Sequence, residues 1–397
     1  MSREKAFLAI YISVAISYLG VGLVAPLISI VLAEHGANSV IVGLVGTTMF
    51  AAFTLASYPI GAWIDRIGAK PVLIGGLVVY GVSLLLFAFI NSIALFFVMR
   101  FIEGIGAAAI SVGTETMIGQ LSRPHERARR MSFYALSVGA GWALGPMAGA
   151  LLFQVHPGLP FYASCAFSIL AAAAVWAAIP KTGDSSHVVE SFLKSFSLPL
   201  LVPISAGALH GYLMSSLVTL IPLYLKRIDI DETAMGGIIT AVIFGTILSQ
   251  LPIGYAADRY GKRRVLLAAA ALAAIVFVVM PLGTTWYSFV ITGALLGACA
   301  GTFYPIGLSL IGEIVKPQRL GAANALFSLV FGIGSLTGPT LSGIAMNRFG
   351  YSWLFYLPAI LTAAFALEII VLHNATKVRD KVIAEGSEAS TSGSRKV

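Results

Sequence analysis

Apolar runs long enough to cross a bilayer follow one another along this chain almost without a break. A hydrocarbon core of roughly 30 Å takes about 20 mostly apolar residues per helix, and such segments must satisfy their own backbone hydrogen bonds. Twelve helical spans are predicted, at 6–33, 39–64, 71–90, 94–121, 130–154, 160–180, 198–225, 235–257, 264–282, 286–312, 320–346 and 351–373. Composition agrees: 58% of the residues are hydrophobic and 11% charged, with a mean hydropathy of +0.91, well beyond soluble globular usage. The expected fold class is all-α, a polytopic membrane protein.

The breaks between spans carry turn or charge signals, such as "EHGANS", "HPGLP", "KRIDIDET" and "NRFG". The longer polar stretch "KTGDSSHVVESFLKS" reads as a cytoplasmic linker at 181–197 between six-helix units at 1–180 and 198–373, and the small polar ending at 374–397 as a disordered cytoplasmic tail. Lys and Arg set the orientation. With the N-terminus inside, 21 of the 25 basic residues fall on the cytoplasmic side, three outside (Lys226, Arg227 and Arg348), and Arg100 within a span. Both termini are therefore expected in the cytoplasm, in a cell (inner) membrane. The net charge of +8 is accounted for by topology, so nucleic acid is not an expected partner. The first apolar run is too long for a signal-peptide core and is kept as a span. Cys165 and Cys299 fall singly inside spans, which suggests neither a disulfide framework nor a metal site, and no cofactor is expected.

The chain also repeats itself. Asp65 and Asp258 lie 193 residues apart, and the same offset relates Pro59 to Pro252, Gly61 to Gly254, Gly68 to Gly261, Gly104 to Gly297, Pro124 to Pro317, Gly141 to Gly334, Gly145 to Gly338 and Pro146 to Pro339. One offset that preserves glycine, proline and aspartate together marks a duplicated six-helix unit. Six is even, so the halves share one orientation and are expected to be related by an axis along the membrane normal.

Four motifs carry a resemblance to a known family. "GAWIDRIGAK" (61–70) and "GYAADRYGKRR" (254–264) follow the form G-x-x-x-D-R-x-G-x-K; "RFIEGIGAAA" (100–109) follows R-x-x-x-G-x-G-A-A; and "GWALGPMAG" (141–149) follows G-x-x-x-G-P-x-x-G. Across essentially its whole length the chain resembles a major facilitator superfamily transporter, and most nearly the twelve-helix drug:proton antiporter-like exporters. It departs from the family pattern at Ala69, Glu103, Ser132 and Ala150. The resemblance implies two pseudo-symmetric six-helix bundles that rock about a midplane cavity, a small-molecule substrate, coupling to protons, and no enzymatic activity.

In the two hairpins, Gly68 and Gly261 suit a short turn, and Asp65 and Asp258 end their helices where a neighbouring helix N-terminus could attract them. The group Gly61, Asp65, Arg66, Gly68, Lys70, Gly254, Asp258, Arg259, Gly261, Lys262 and Arg263 is read as a conformational latch, with a plain topology anchor as the alternative. Gly141, Gly145 and Gly149 share one helix face beside Pro146, an arrangement that serves close packing or, by resemblance, the exporter motif.

An ionisable side chain in a span costs roughly 2.5–3.5 kcal/mol and needs a reason. Arg100 and Glu103 are spaced to pair on one helix face, as a static ion pair or as a proton carrier whose pKa the arginine lowers. Glu115 is a second coupling or substrate acid, and His210 a third candidate or a packing histidine. Tyr18, Phe50, Phe53, Tyr134, Trp142, Tyr212, Phe244, Phe303, Tyr304 and Phe327 are the candidate cavity-lining residues, a set that favours amphiphilic compounds. The expected function is proton-coupled efflux by a monomer in the lipid bilayer. Uptake by symport or facilitated diffusion is the same-fold alternative. A polytopic membrane enzyme is the remote one, since the six histidines are scattered and no phosphate-binding loop of the G-x-x-x-x-G-K-[ST] form occurs.

Overall fold

In a computed structural model the described residues are 3–123, 126–178, 200–315 and 320–372. Their helices are α1 (Arg3–Glu34), α2 (Ser39–Ile67), α3 (Ala69–Phe87), α4 (Ile93–Leu121), α5 (Arg127–Val155), α6 (Leu159–Ala178), α7 (Leu201–Arg227), α8 (Glu232–Tyr260), α9 (Lys262–Val279), α10 (Trp286–Ile314) and α11 (Leu320–Phe349), followed by α12 (Trp353–Leu372). All twelve hold a segment long and apolar enough to cross a membrane, and no strand occurs among the described residues. The expected linker at 181–197 and tail at 374–397, together with Pro124, Pro317, Lys316 and Arg319, lie outside the described residues.

The 193-residue offset of the sequence reappears as packing. Asn38 caps α2 by accepting a hydrogen bond from the Ile41 amide at 3.0 Å, and Asp231, its equivalent, caps α8 through the Ala234 amide at 3.0 Å. Gly104 brings α4 so close to α2 that a Cβ would collide with the Met49 carbonyl; Gly297 meets the equivalent Val242 carbonyl from α10. Gly141 and Gly334 likewise press α5 and α11 onto the equivalent Ala15 and Ala208 carbonyls. Helices α1–α6 pack among themselves, as do α7–α11, which α12 joins through Phe355 on Tyr224 and Phe365 on Phe303, and the two bundles meet chiefly through α2 with α11, α5 with α8 and α1 with α7.

Each hairpin turns on a single residue between its helices. Gly68 alone joins α2 to α3 with φ 89°, and Gly261 alone joins α8 to α9 with φ 92°. Only glycine takes such a φ without steric cost. The face carrying these hairpins and the start of α1 is called the hairpin face below, and the other the far face.

The bundles touch from mid-depth to the far face. Ser39 Oγ donates to the Gly343 carbonyl at 2.9 Å, Thr47 Oγ1 to the Leu336 carbonyl at 2.8 Å, and Ser29 Oγ to the Thr219 carbonyl. Gly236 of α8 sits against the Pro146 carbonyl of α5, and Lys226 pairs with Glu34 at 2.6 Å on the far face itself. Toward the hairpin face the same helix surfaces are bare. Tyr58 lies eleven residues after Thr47, hence on the same side of α2, and is 81% exposed; Leu136, two heptads before Ala150 on α5, is 57% exposed. The space between the bundles is therefore sealed on the far face and open on the hairpin face.

Candidate functional site

Helical spacing builds a cavity at mid-depth. Ser17, Tyr18 and Val21 form one face of α1, and Met49, Phe50, Phe53 and Thr54 one face of α2. With Tyr80 of α3, Ala107 and Ile110 of α4, Trp142 of α5, and Phe331, Gly332 and Ser335 of α11, they enclose about 320 Å³. That volume is at the lower end of the range of small-molecule sites. The wall is aromatic with a few hydroxyls, and none of its residues is charged.

Of the expected lining residues, Tyr18, Phe50, Phe53 and Trp142 stand in this wall. Tyr134 is buried just below it, against the Tyr18 hydroxyl and Glu115. Others are corrected by the structure. Phe303 is wholly buried inside the second bundle, edge-on to Phe365 at 5.7 Å; Phe327 is wholly buried behind Tyr304 at 5.0 Å; and Tyr212 is buried with its hydroxyl 2.7 Å from Ser342. A bundle fills its own interior with large apolar side chains first, so these rings pack rather than line the cavity. Phe244 stays 40% exposed on α8, away from the cavity wall. The reading from sequence missed Tyr80 and Phe331 as lining residues. Phe331 and Ser335 share a face of α11 at a four-residue spacing, the one signal that pointed to them.

Arg100 and Glu103 are brought together but away from the cavity wall. They are 5% and 2% exposed. Arg100 Nη1 donates to both carboxylate oxygens at 3.1 and 3.0 Å, and the Tyr80 hydroxyl donates to Glu103 Oε1 at 3.2 Å. The guanidinium also lies 6.0 Å from the Phe87 ring centroid. Tyr80 thus links a buried ion pair to the cavity.

Glu115 has a different setting. It lies five residues beyond Ile110, about 7.5 Å along α4 toward the hairpin face, and it is exposed to the open space between the bundles. Ser111 Oγ donates to its Oε1 at 3.0 Å, Tyr134 lies against it, and Tyr304 of the opposite bundle is within electrostatic reach. His210 is held by a hydrogen bond from Nδ1 to the Ala300 carbonyl at 2.8 Å. Its ring packs 5.6 Å from Tyr304 and 5.9 Å from Phe331.

At the hairpin face Asp65, Arg66, Asp258 and Arg259 are exposed. Among the described residues the two aspartates hold no ion pair. Lys70 Nζ donates to the Trp176 carbonyl at 2.7 Å, and Lys262 pairs with Glu313 at 2.6 Å; both contacts stay within one bundle, and Arg263 is half-buried. Gly61 and Gly254 face open space, where a Cβ would meet nothing within 4 Å. Gly145 and Gly149, by contrast, have no room for a Cβ against Gly22 and Leu23 of α1, and Pro146 stands between them.

Comparison with known proteins places this architecture. The model of the Major Facilitator Superfamily matches residues 10–226 and 204–393. The MFS-type transporter YfkF of Bacillus subtilis (strain 168) is 30% identical over 379 residues, 94% of this chain and 96% of that protein. Multidrug resistance protein 1 of the same organism is 32% identical over 174 residues, 43% of this chain and 44% of that protein. Among solved structures, a bacterial homolog of the human lysosomal transporter Spinster, in an inward-facing and occupied conformation, superposes with a TM-score of 0.79 at 14% identity, covering 94% of this chain and 97% of the other. The duplicated bundles, the cavity between them and the whole-length match to YfkF agree: this chain belongs to the major facilitator superfamily and is a multi-pass membrane transporter of small molecules, not an enzyme.

Proposed function

We propose that this transporter is a proton-coupled exporter of small amphiphilic compounds. In this reading the hairpin face is cytoplasmic, the protein acts as a monomer in the inner membrane, and the conformation described is open to the cytoplasm. The observation that carries the proposal is the division of labour around the cavity: an uncharged aromatic wall at mid-depth, and an acid, Glu115, just below it on the open side. An aromatic wall accepts flat or flexible apolar bodies with little geometric demand. The partial likeness to Multidrug resistance protein 1 points the same way.

Coupling follows from the cost of enclosing a charge. Facing the open space, the Glu115 carboxyl can be solvated by water, with Ser111 and Tyr134 beside it. When the bundles close over it, a bare carboxylate costs roughly 2.5–3.5 kcal/mol unless something neutralises it. A proton can do this, and so can the cationic group of an amphiphile bound in the cavity. Because one acid holds one or the other, outward passage of substrate and inward return of a proton exchange with each other. Arg100 and Glu103, already paired out of water, serve as a fixed brace that positions Tyr80.

The hairpins complete the cycle. Gly61 and Gly254 face open space in the open conformation, and among the described residues Asp65 and Asp258 hold no ion pair there. Closure of the hairpin face brings helix ends against these positions and engages the latch. The decisive experiment is transport in proteoliposomes with an imposed pH gradient. Glu115→Gln is expected to lose gradient-driven transport while keeping counterflow, which moves no net proton. Gradient-driven transport that survives in Glu115→Gln, or wild-type transport that ignores the gradient, refutes the coupling.

A further inference from the structure

A second cavity, unrelated to the central one, opens sideways between α11 and α12 over the floor of α7. It encloses about 390 Å³ and is lined mainly by apolar residues, with Glu368, Ser205, Thr337 and Tyr212 as the polar exceptions. Phe331 and Ser335 line the central cavity from one side of α11; Ile333, Thr337 and Leu341 lie two residues further on, about 200° around the helix, and line the groove. Ile333 and Leu341 are 50% and 48% exposed, so the groove faces outward at the depth of the spans. One helix wall therefore separates it from the transport cavity.

The duplication says which of its features the fold requires. At the 193-residue offset the first bundle places Ile12 for Ser205, Leu144 for Thr337 and Leu19 for Tyr212, and in the last helix of each half, where the matching burial pattern is offset by 194, Ala174 for Glu368. The equivalent surface of α1, α5 and α6 is thus built with apolar residues at all four positions. Packing does not explain a carboxylate in α12. Glu368 is half-buried, accepts a hydrogen bond from Ser205 Oγ at 3.1 Å, and has no cationic partner among the described residues. An acid facing a bilayer-side groove carries an insertion cost that a proton or a counter-charge relieves.

We propose that this groove is a binding site for a small amphiphilic cation held in the membrane, with Glu368 as its counter-ion. The charge complementarity is local. From Glu368 to Leu361 the groove runs seven residues, about 10 Å, the length of an extended eight-carbon chain, with the acid at the hairpin-face end where an amine head would lie. Ser205 orients the carboxylate, and the apolar walls take the chain. The comparable groove between α8, α9 and α10, about 480 Å³, carries Arg264 instead, a charge that would repel a cation. The inference does not depend on the direction of transport or on proton coupling.

The test is photolabelling of the full-length protein in vesicles of phosphatidylcholine and phosphatidylglycerol. The probes are octylammonium with a diazirine on its chain and the uncharged octanol carrying the same group, with labelled peptides located by mass spectrometry. The ammonium probe is expected to label segments 333–341 and 361–368 about fivefold more in wild type than in Glu368→Gln, the scale of one partly exposed ion pair, while the alcohol labels both proteins equally. Glu368→Ala, which installs the residue type of the first bundle, is expected to match Glu368→Gln, and a thermal melt of each variant verifies folding. Equal labelling of wild type and both variants by the ammonium probe, or wild-type labelling that favours the alcohol, overturns the proposal. Loss of ammonium labelling when phosphatidylethanolamine is added makes an aminolipid the occupant, and overturns it too.

Discussion

Replacing Glu103 by Gln separates a structural ion pair from a proton carrier, because the two roles predict different losses. Arg100 and Glu103 are buried, Arg100 Nη1 donates to both carboxylate oxygens, and among the described residues Arg100 Nε has no hydrogen-bond partner. Removing one member of a buried pair costs about 3–5 kcal/mol because the other charge is left uncompensated. Gln keeps one acceptor for Arg100 and Tyr80, which puts the expected cost near the lower end, about 3 kcal/mol. At about 2–4 °C per kcal/mol for a unit of this size, the melting temperature should fall by about 6–12 °C. Cys299 is buried and Cys165 partly so, and a thiol-reactive dye therefore reports the melt. The double variant Arg100→Met with Glu103→Gln removes the stranded charge and should recover most of the loss. It should also retain gradient-driven transport. A Glu103→Gln protein with an unchanged melt and no gradient-driven transport would refute the brace and make Glu103 the proton carrier.

Further outcomes follow from the same geometry. Asp65→Asn keeps size and loses charge; it is expected to slow transport several-fold with little loss of expression, and normal transport would reduce the hairpin to an anchor. Lys226→Ala removes the far-face pair with Glu34; both side chains are partly exposed, so the shift toward a state open at the far face is expected to be at most about fivefold and to vanish at high salt. Reactivity of a single cysteine placed on the far-face side of the cavity measures it, and an equal shift at all salt concentrations contradicts the assignment. Gly104→Ala drives a Cβ into the α2 backbone at Met49 and Ala52, which should cost about 1–3 kcal/mol and lower the melt; an unchanged melt would show that α2 and α4 slide apart at little cost.

The parts of this fold legible in the sequence are those that one chain segment determines by itself. Span lengths follow from hydropathy, the positive-φ turns from Gly68 and Gly261, and the Arg100–Glu103 pairing from a three-residue spacing. The duplication was visible because glycines such as Gly104 and Gly297 are fixed by backbone contacts that a Cβ would break. What lines the cavity was less visible. Helix rotation is set by contacts between distant segments, such as Gly141 on Ala15, and an aromatic residue in sequence carries no mark of which way it faces. Phe327 and Phe331, one helical turn apart on α11, show the result: the first is core and the second is cavity wall. The open state was not legible either, since one sequence must serve every conformation of the cycle.

Where the two halves differ is as informative as where they match. Rocking about a shared axis needs matched mechanics, and the matched positions are mechanical: the hairpin glycines, the helix caps and the backbone-contact glycines. Chemistry needs no second copy. Glu115 is matched by Leu308, Glu103 by Leu296, Arg100 by Gly293, Tyr80 by Ala273 and Trp142 by Ser335. Five of the six helices in the cavity wall come accordingly from the first bundle, and α11 alone supplies the second bundle's side. Glu368 is the reverse case, an acid that only the second bundle carries, on the outer side of that same α11 wall. An acid that duplication did not preserve and packing does not need is held there by what it binds, and Glu115 and Glu368, two acids without a counterpart in the other half, lie on opposite sides of the α11 wall.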